Sequence, residues 1–345
     1  MKALVLEKKL ELSLRDITIP TITGDDEVKI KMHTVGICGS DIHYYEHGKI
    51  GQWLVKEPMI LGHEGSGTII EIGKNEKKLK VGDRVCVEPQ ITDKNSKEYK
   101  LGIYNYDQSV KFWATPPIHG CLVPEVIFPA DLVFKIPDNL SFGEGAMVEP
   151  LAVGMQGATK ANIKPGQIGL VMGCGPIGIV TALAALAGGC AKVFIADILS
   201  EKLKICENYP DLIPIDLKNE NLQEKVLKET NNWGVNCFFE CSGAVEAYES
   251  IFSCCCPGAT VVLIGNNATP VPMDWAILFA KGLDFKTVHR YSHQYENAIR
   301  LLSNGKINLK PLISKTFDFE QSIKAFERAA EHRAEDIKLQ ILVNG

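Results

Sequence analysis

Apolar and polar positions alternate in short runs through the first 150 residues. KALVLE, EVKIKMHTVGI, GTIIEIG, DRVCVEP and LVFKIP are β-type runs, punctuated at short spacing by Gly, Pro and Asp. That pattern predicts a compact β-rich domain. From about residue 151 the texture changes. QIGLVMG (167–173) reads as a short apolar strand, PIGIVTALAALAG as a helix and KVFIAD (192–197) as a second strand. CFFECSG (237–243) and ATVVLIG (259–265) follow as strands with helical segments between them. Alternating β and α segments argue for a parallel, doubly wound sheet, so the fold class is α/β. In the tail, FDFEQSIKAFERAAEH (317–332) reads as a helix that Asp318 or Ser322 caps, and IKLQILVNG as a closing strand.

Bulk properties exclude some functions. The 345 residues are 46% hydrophobic and 23% charged, an ordinary globular composition with a prior of two domains. The net charge of −5 offers no basic field to nucleic acid. The start, MKALVLEKKLELSL, lacks the apolar core and small-residue cleavage site of a signal peptide. The longest apolar stretch, residues 177–189, is too short to span a bilayer. Eleven cysteines, an odd number scattered apart from Cys254–Cys256, form no disulfide framework, and a reducing, cytoplasmic setting is expected.

Candidate chemistry appears first in Gly173-Cys174-Gly175-Pro176-Ile177-Gly178, a G-x-G-x-x-G turn between a strand and a helix. The first glycine allows the tight turn, the second lets backbone approach a pyrophosphate, and the third lets helix pack on strand. Amides at the helix N-terminus add an anion site. Asp197 ends the next strand, nineteen residues past Gly178. A carboxylate there accepts hydrogen bonds from the adenosine ribose and repels a 2′-phosphate, which favours NAD. Lys202, five residues on, either helps hold the ribose or is solvated.

A second cluster begins at LGHEGSG (61–67), where His63 and Glu64 stand together between glycines. Cys38, in GICGSD, is the nearest upstream thiol. Cys, His and carboxylate make a three-ligand catalytic zinc set with one position open. Glu149, in MVEPLAVG, falls where the β-rich part meets the nucleotide-type part. Singly, each has an ordinary reading: a buried thiol, a solvated turn, an acid at a helix start.

These motifs resemble the zinc-containing medium-chain dehydrogenases in order and spacing. GICGSDIHYYEHGKIG, ILGHEGSGTIIEIG, VGDRV, VEP, EGAMVEPLAVG and the glycine turn carry the resemblance nearly end to end. FWATPP (112–117), VEPLAVG and HRYSHQYENAI (289–299) resemble the polyol branch, the xylitol and sorbitol dehydrogenases. The resemblance implies a GroES-like catalytic domain over 1–150 and 286–345 and a Rossmann NAD-binding domain over 151–285. It implies that Cys38, His63 and Glu64 hold zinc, and that Glu149 binds the metal or orders its water and the substrate. Ser40 and His43 match positions of a proton relay. Tyr44, Phe112, Arg290 and Tyr291 match substrate-pocket positions, and Ile264, Val288 and Arg290 join the glycine turn as cofactor contacts.

The implied reaction is hydride transfer between a polyol (xylitol or sorbitol) and NAD, giving the 2-ketose. The alternatives are a zinc dehydrogenase of L-threonine or an aldonate, and a binding protein that has lost the chemistry. The resemblance also implies a homotetramer. Many relatives carry four cysteines for a second, structural zinc where this chain has Asp93, Ser96, Tyr99 and Asp107. None is a thiol, so one zinc per chain is expected.

Overall fold

The strand Glu27–Gly36 buries Val28, Ile30, Met32 and Thr34 at alternate positions, so one face lies against a core. The computed structural model that contains it describes residues 1–265 and 270–344. The strand lies inside a seven-stranded sheet. Its order is Val133–Lys135, Arg84–Val87, Glu64–Ile72, Glu27–Gly36, Lys338–Leu342 and Ile313–Asp318, with Glu125–Pro129 also paired to Glu27–Gly36. Only Ile313–Asp318 and Lys338–Leu342 run parallel; the other pairs are antiparallel. The register sets Gly36 opposite Glu64 on one side and Gln340 on the other. Leu4, Ile30, Met32, Trp113, Phe128 and Ile341 belong to one core cluster. Each such side chain contributes about 1.5–3 kcal/mol when fully buried.

Six strands form a second, wholly parallel sheet: Leu212–Asp216, Lys192–Asp197, Ile168–Met172, Val235–Glu240, Cys255–Leu263 and Asp284–Thr287, in that spatial order. The chain works outward from Ile168–Met172 to one edge, then returns and works to the other, which is the doubly wound order. Leu170, Val171, Phe194, Ile195, Phe238, Phe239, Val261 and Val262 are all fully buried. A strand covered on both faces has no polar side to show, so it reads as an unbroken apolar run.

The chain divides into two compact units, Met1–Glu149 with Tyr295–Gly345, and Pro150–Gln294. The expected return to the first domain at 286 comes too early. Lys286 and Thr287 still pair with Val262 and Leu263 in the parallel sheet, and Gln294 Nε2 donates to Gln156 Oε1 at 3.0 Å within the second unit. Tyr295, fully buried, begins the return by donating its hydroxyl to Val87 O at 2.9 Å. The helix expected over 317–332 is also shorter. Phe317 and Asp318 finish a strand, a 3-10 turn covers Phe319–Gln321, and the α-helix runs Ser322–Ala330. No helix among the described residues is long and apolar enough to cross a membrane.

Candidate active site

Cys38 lies just past the strand Glu27–Gly36 and is the N-cap of the helix Gly39–His47. His63 immediately precedes the strand Glu64–Ile72, and Glu64 is its first residue. Gly62 makes that approach possible, with φ +87° and a missing Cβ that would press on Leu122 and Val35 at 2.8 and 2.9 Å. Asp41 ties the two loops together. Its carboxylate accepts from Cys38 N and Gly62 N, each at 3.1 Å, and is itself fully buried.

The result is a cluster in which ligand atoms of Cys38, His63 and Glu64 lie within 4.8 Å of one another. These donors suit zinc: a thiol, an imidazole and a carboxylate at mutual reach. His63 Nδ1 is buried with no hydrogen-bond partner among the described residues, and stands 3.6 Å from Asp41 Oδ1. Burial works against charging His63, yet Asp41 and Cys38 outweigh it and hold the imidazole well above its usual pKa. Glu149, buried in the first turn of the helix Val148–Ala161, falls outside the three-residue set.

In the second unit the nucleotide-type residues gather at the carboxyl ends of the parallel strands. Gly173 follows Ile168–Met172, Asp197 ends Lys192–Asp197, Ile264 follows Cys255–Leu263 and Val288 follows Asp284–Thr287. This edge, where strand order reverses, is where doubly wound sheets bind ligands. The three glycines do distinct work. Gly173 holds φ +97°, and a Cβ on Gly178 would stand 1.9 Å from Gly173 O. Nothing lies within 4 Å of a Cβ built on Gly175, so only this backbone's bareness keeps that space open to a phosphate. Pro176 opens the helix Pro176–Ala187 with Gly175 as N-cap, and Ile177 follows inside its first turn. Asp197 accepts from Cys174 N at 2.7 Å and Leu199 N at 2.9 Å. A carboxylate has about four acceptor positions, and these two bonds use one on each oxygen. Lys202 is half-buried in the short helix Ser200–Leu203.

Ser40 and His43 lie three residues apart on the helix Gly39–His47, hence on one face; Ser40 is half-buried and His43 exposed. Tyr44 is buried on the same helix. Phe112 is buried with its ring centroid 5.4 Å from that of His63. Arg290 is half-buried and holds φ +57°, a left-handed conformation that costs a non-glycine residue about 1–3 kcal/mol and clusters at ligand clamps. Tyr291 is fully buried.

Three positioning groups escaped the sequence reading. Asp41 is signalled faintly by its place three residues past an N-cap. Glu240 ends its strand fully buried and accepts from Ser242 N at 2.8 Å and Gly243 N at 2.9 Å, fixing the turn at the nucleotide edge. Lys338, buried in the closing strand, donates to both Glu64 oxygens at 2.7 and 2.9 Å. A lysine inside an apolar strand was the available signal.

Comparisons with known proteins agree with this geometry. The alcohol dehydrogenase GroES-like domain matches residues 24–138, and the zinc-binding dehydrogenase domain matches residues 176–304. The D-xylulose reductase of Morganella morganii is 55% identical, over 96% of this chain and 98% of its own. The sorbitol dehydrogenase of Bacillus subtilis is 34% identical, over 100% and 98%. The crystal structure of 2R,3R-butanediol dehydrogenase from Bacillus subtilis superposes with a TM-score of 0.91 at 26% identity, over 99% of both chains. Catalytic-type cluster, glycine turn and end-to-end similarity together place the chain in the zinc-containing medium-chain dehydrogenase family, in the polyol branch with the D-xylulose reductases and sorbitol dehydrogenases.

Proposed function

We propose that the chain oxidises a polyol, xylitol or sorbitol, at C2 with NAD, and reduces the corresponding 2-ketose in the reverse direction. The observation that carries this reading is the convergence of half-buried Cys38 with buried His63 and Glu64. When bound, zinc supplies Lewis acidity toward a substrate hydroxyl, and the nicotinamide supplies a hydride acceptor. Cys38, His63 and Glu64 would hold the zinc and leave a fourth position to substrate. Glu149 orders a water or a neighbouring hydroxyl. Ser40 takes up the hydroxyl proton and passes it to His43, whose exposed ring returns it to solvent. Tyr44 and Phe112 give apolar wall, and Arg290 and Tyr291 give donors for further hydroxyls. A site that hydrogen-bonds several hydroxyls rejects simple alcohols, because its polar groups would otherwise stay unpaired.

On the cofactor side, Gly173, Gly175, Pro176, Ile177 and Gly178 receive the pyrophosphate, and Asp197 takes the ribose hydroxyls and repels a 2′-phosphate. Lys202, Ile264 and Val288 complete the cofactor contacts. A single zinc per chain is part of the proposal. Asp93 accepts from Asn95 N, Ser96 caps the turn Lys97–Lys100, and Asp107 accepts from Ser109. These oxygens serve local turns, and zinc prefers thiolate and imidazole for a closed site. The working form is a cytoplasmic homotetramer.

The test is NADH formation by zinc-loaded protein on xylitol, sorbitol, L-threonine, an aldonate and ethanol. The expected result is kcat/KM for xylitol or sorbitol at least about 100-fold above ethanol, with NAD preferred to NADP. L-threonine or the aldonate as best substrate would establish the alternative dehydrogenase, and no turnover at all would point to a binding protein. Elemental analysis after dialysis is expected to give one zinc per chain.

A further inference from the structure

Lys338 and Glu64 form an ion pair in which both side chains are almost wholly buried. Lys338 Nζ donates to Glu64 Oε1 at 2.7 Å, to Glu64 Oε2 at 2.9 Å and to Ile37 O at 3.1 Å. All three protons of the ammonium are thereby matched by acceptors. Glu64 belongs to the cluster with Cys38 and His63, so the cation sits against a group proposed to bind zinc.

The sheet builds this contact on purpose. Gly36 stands between Glu64 and Gln340 in register, and Lys338 is two residues from Gln340 on the same face of its strand. A Cβ on Gly36 would lie 2.0 Å from Glu64 Oε2. The bare central strand therefore lets the carboxylate lean across toward the third strand.

We propose that Lys338 is a positioning residue that sets the zinc affinity of the site by competing for Glu64. Resting on the zinc reading of Cys38, His63 and Glu64, this extends it to a residue outside the ligand set. Without metal, the ammonium compensates a buried carboxylate that would otherwise be unpaired. With metal, two cations share one carboxylate in a low-dielectric setting and repel each other. Lys338 thus stabilises the metal-free protein more than the zinc-loaded protein. By linkage, that difference is subtracted from zinc affinity.

The experiment compares wild type with Lys338→Met and Lys338→Arg. Zinc affinity is read by competition with a chromophoric chelator, the rate of zinc loss by transfer to the same chelator, and Tm with and without zinc. For Lys338→Met the expected result is at least about ten-fold tighter zinc binding with slower loss, and a larger fall in Tm for the metal-free than for the loaded form. Lys338→Arg keeps the charge and is expected to stay within about three-fold of wild type. If metal-free Lys338→Met does not fold, the rate of zinc loss from the loaded protein decides alone. Unchanged or faster loss, or equal falls in both Tm values, overturns the proposal and leaves Lys338 a structural ion-pair partner. Wild-type protein that binds no zinc would instead overturn the metal reading beneath it.

Discussion

His63 and Glu64 are neighbours in sequence, yet different structure holds each. Asp41 stands beside the imidazole, while the carboxylate reaches across Gly36 to Lys338. Removing a ligand therefore removes more than one contact. Cys38→Ser and His63→Ala are each expected to lose zinc and to lower kcat by several kcal/mol of barrier, on the order of 10³-fold. NAD affinity is expected to stay within about three-fold of wild type, because the glycine turn and Asp197 belong to the other unit. Zinc content, kcat and NAD titration on each variant check this. A variant that loses metal but keeps near-normal kcat defeats the zinc role. The convergence of Cys38, His63 and Glu64 was legible in the sequence because a thiol, an imidazole and a carboxylate among glycines are an unusual set. Asp41 was not, because a lone acid in a turn has many ordinary explanations.

Among the elements, the segment from Glu88 to Phe112 is the most instructive. The short strands Gln90–Ile91 and Lys111–Phe112 pair at its base. Tyr104 in the 3-10 turn donates to Glu88 at 2.7 Å, and Gln90 donates to the same oxygen at 2.8 Å. Burial pushes the Glu88 carboxyl up, and the bonds from Gln90 and Tyr104 only partly oppose it. A carboxyl with a raised folded-state pKa costs stability as pH rises above its ordinary value of 4.5, and costs nothing well below it. Glu88→Gln keeps an acceptor oxygen and removes the buried charge. It is expected to raise the thermal midpoint at pH 7.5 by about 2–4 °C, for a gain on the order of 1 kcal/mol. The difference from wild type should shrink toward zero near pH 4. Melting curves of both proteins across pH 4–8 test it, and a variant that melts lower throughout would mean that the two charged hydrogen bonds outweigh the burial.

At the scale of the whole molecule, the helix Trp275–Lys281 shows Trp275 and Phe279 to solvent, 69% and 85% exposed, one turn apart on one face. The strand Asp284–Thr287 is an edge of the parallel sheet. Large exposed apolar side chains are an ordinary basis for subunit contact. Sedimentation is expected to give about four times the chain mass of 37.9 kDa, and Phe279→Glu to shift the protein toward smaller species. A wild-type monomer at working concentration would remove the tetramer from the proposal.

The periodicities determined much of this protein by themselves. Alternating runs gave antiparallel strands and continuous runs gave parallel ones, because a half-buried strand must keep a polar face and a doubly covered strand has none. The glycine turn was equally legible, since Gly173 and Gly178 occupy positions where a side chain would strain the backbone or strike it. What the sequence left open was which strand lies beside which. Alternation tells whether Lys338 points in or out, not that it ends 274 residues away beside Glu64. That pairing depends on a sheet order set by packing over the whole first unit, with Glu64–Ile72, Glu27–Gly36 and Lys338–Leu342 brought side by side. For the same reason the return to the first unit at Tyr295 was invisible locally. Tyr295 joins that unit through contacts that include its bond to Val87 O, between residues 208 positions apart.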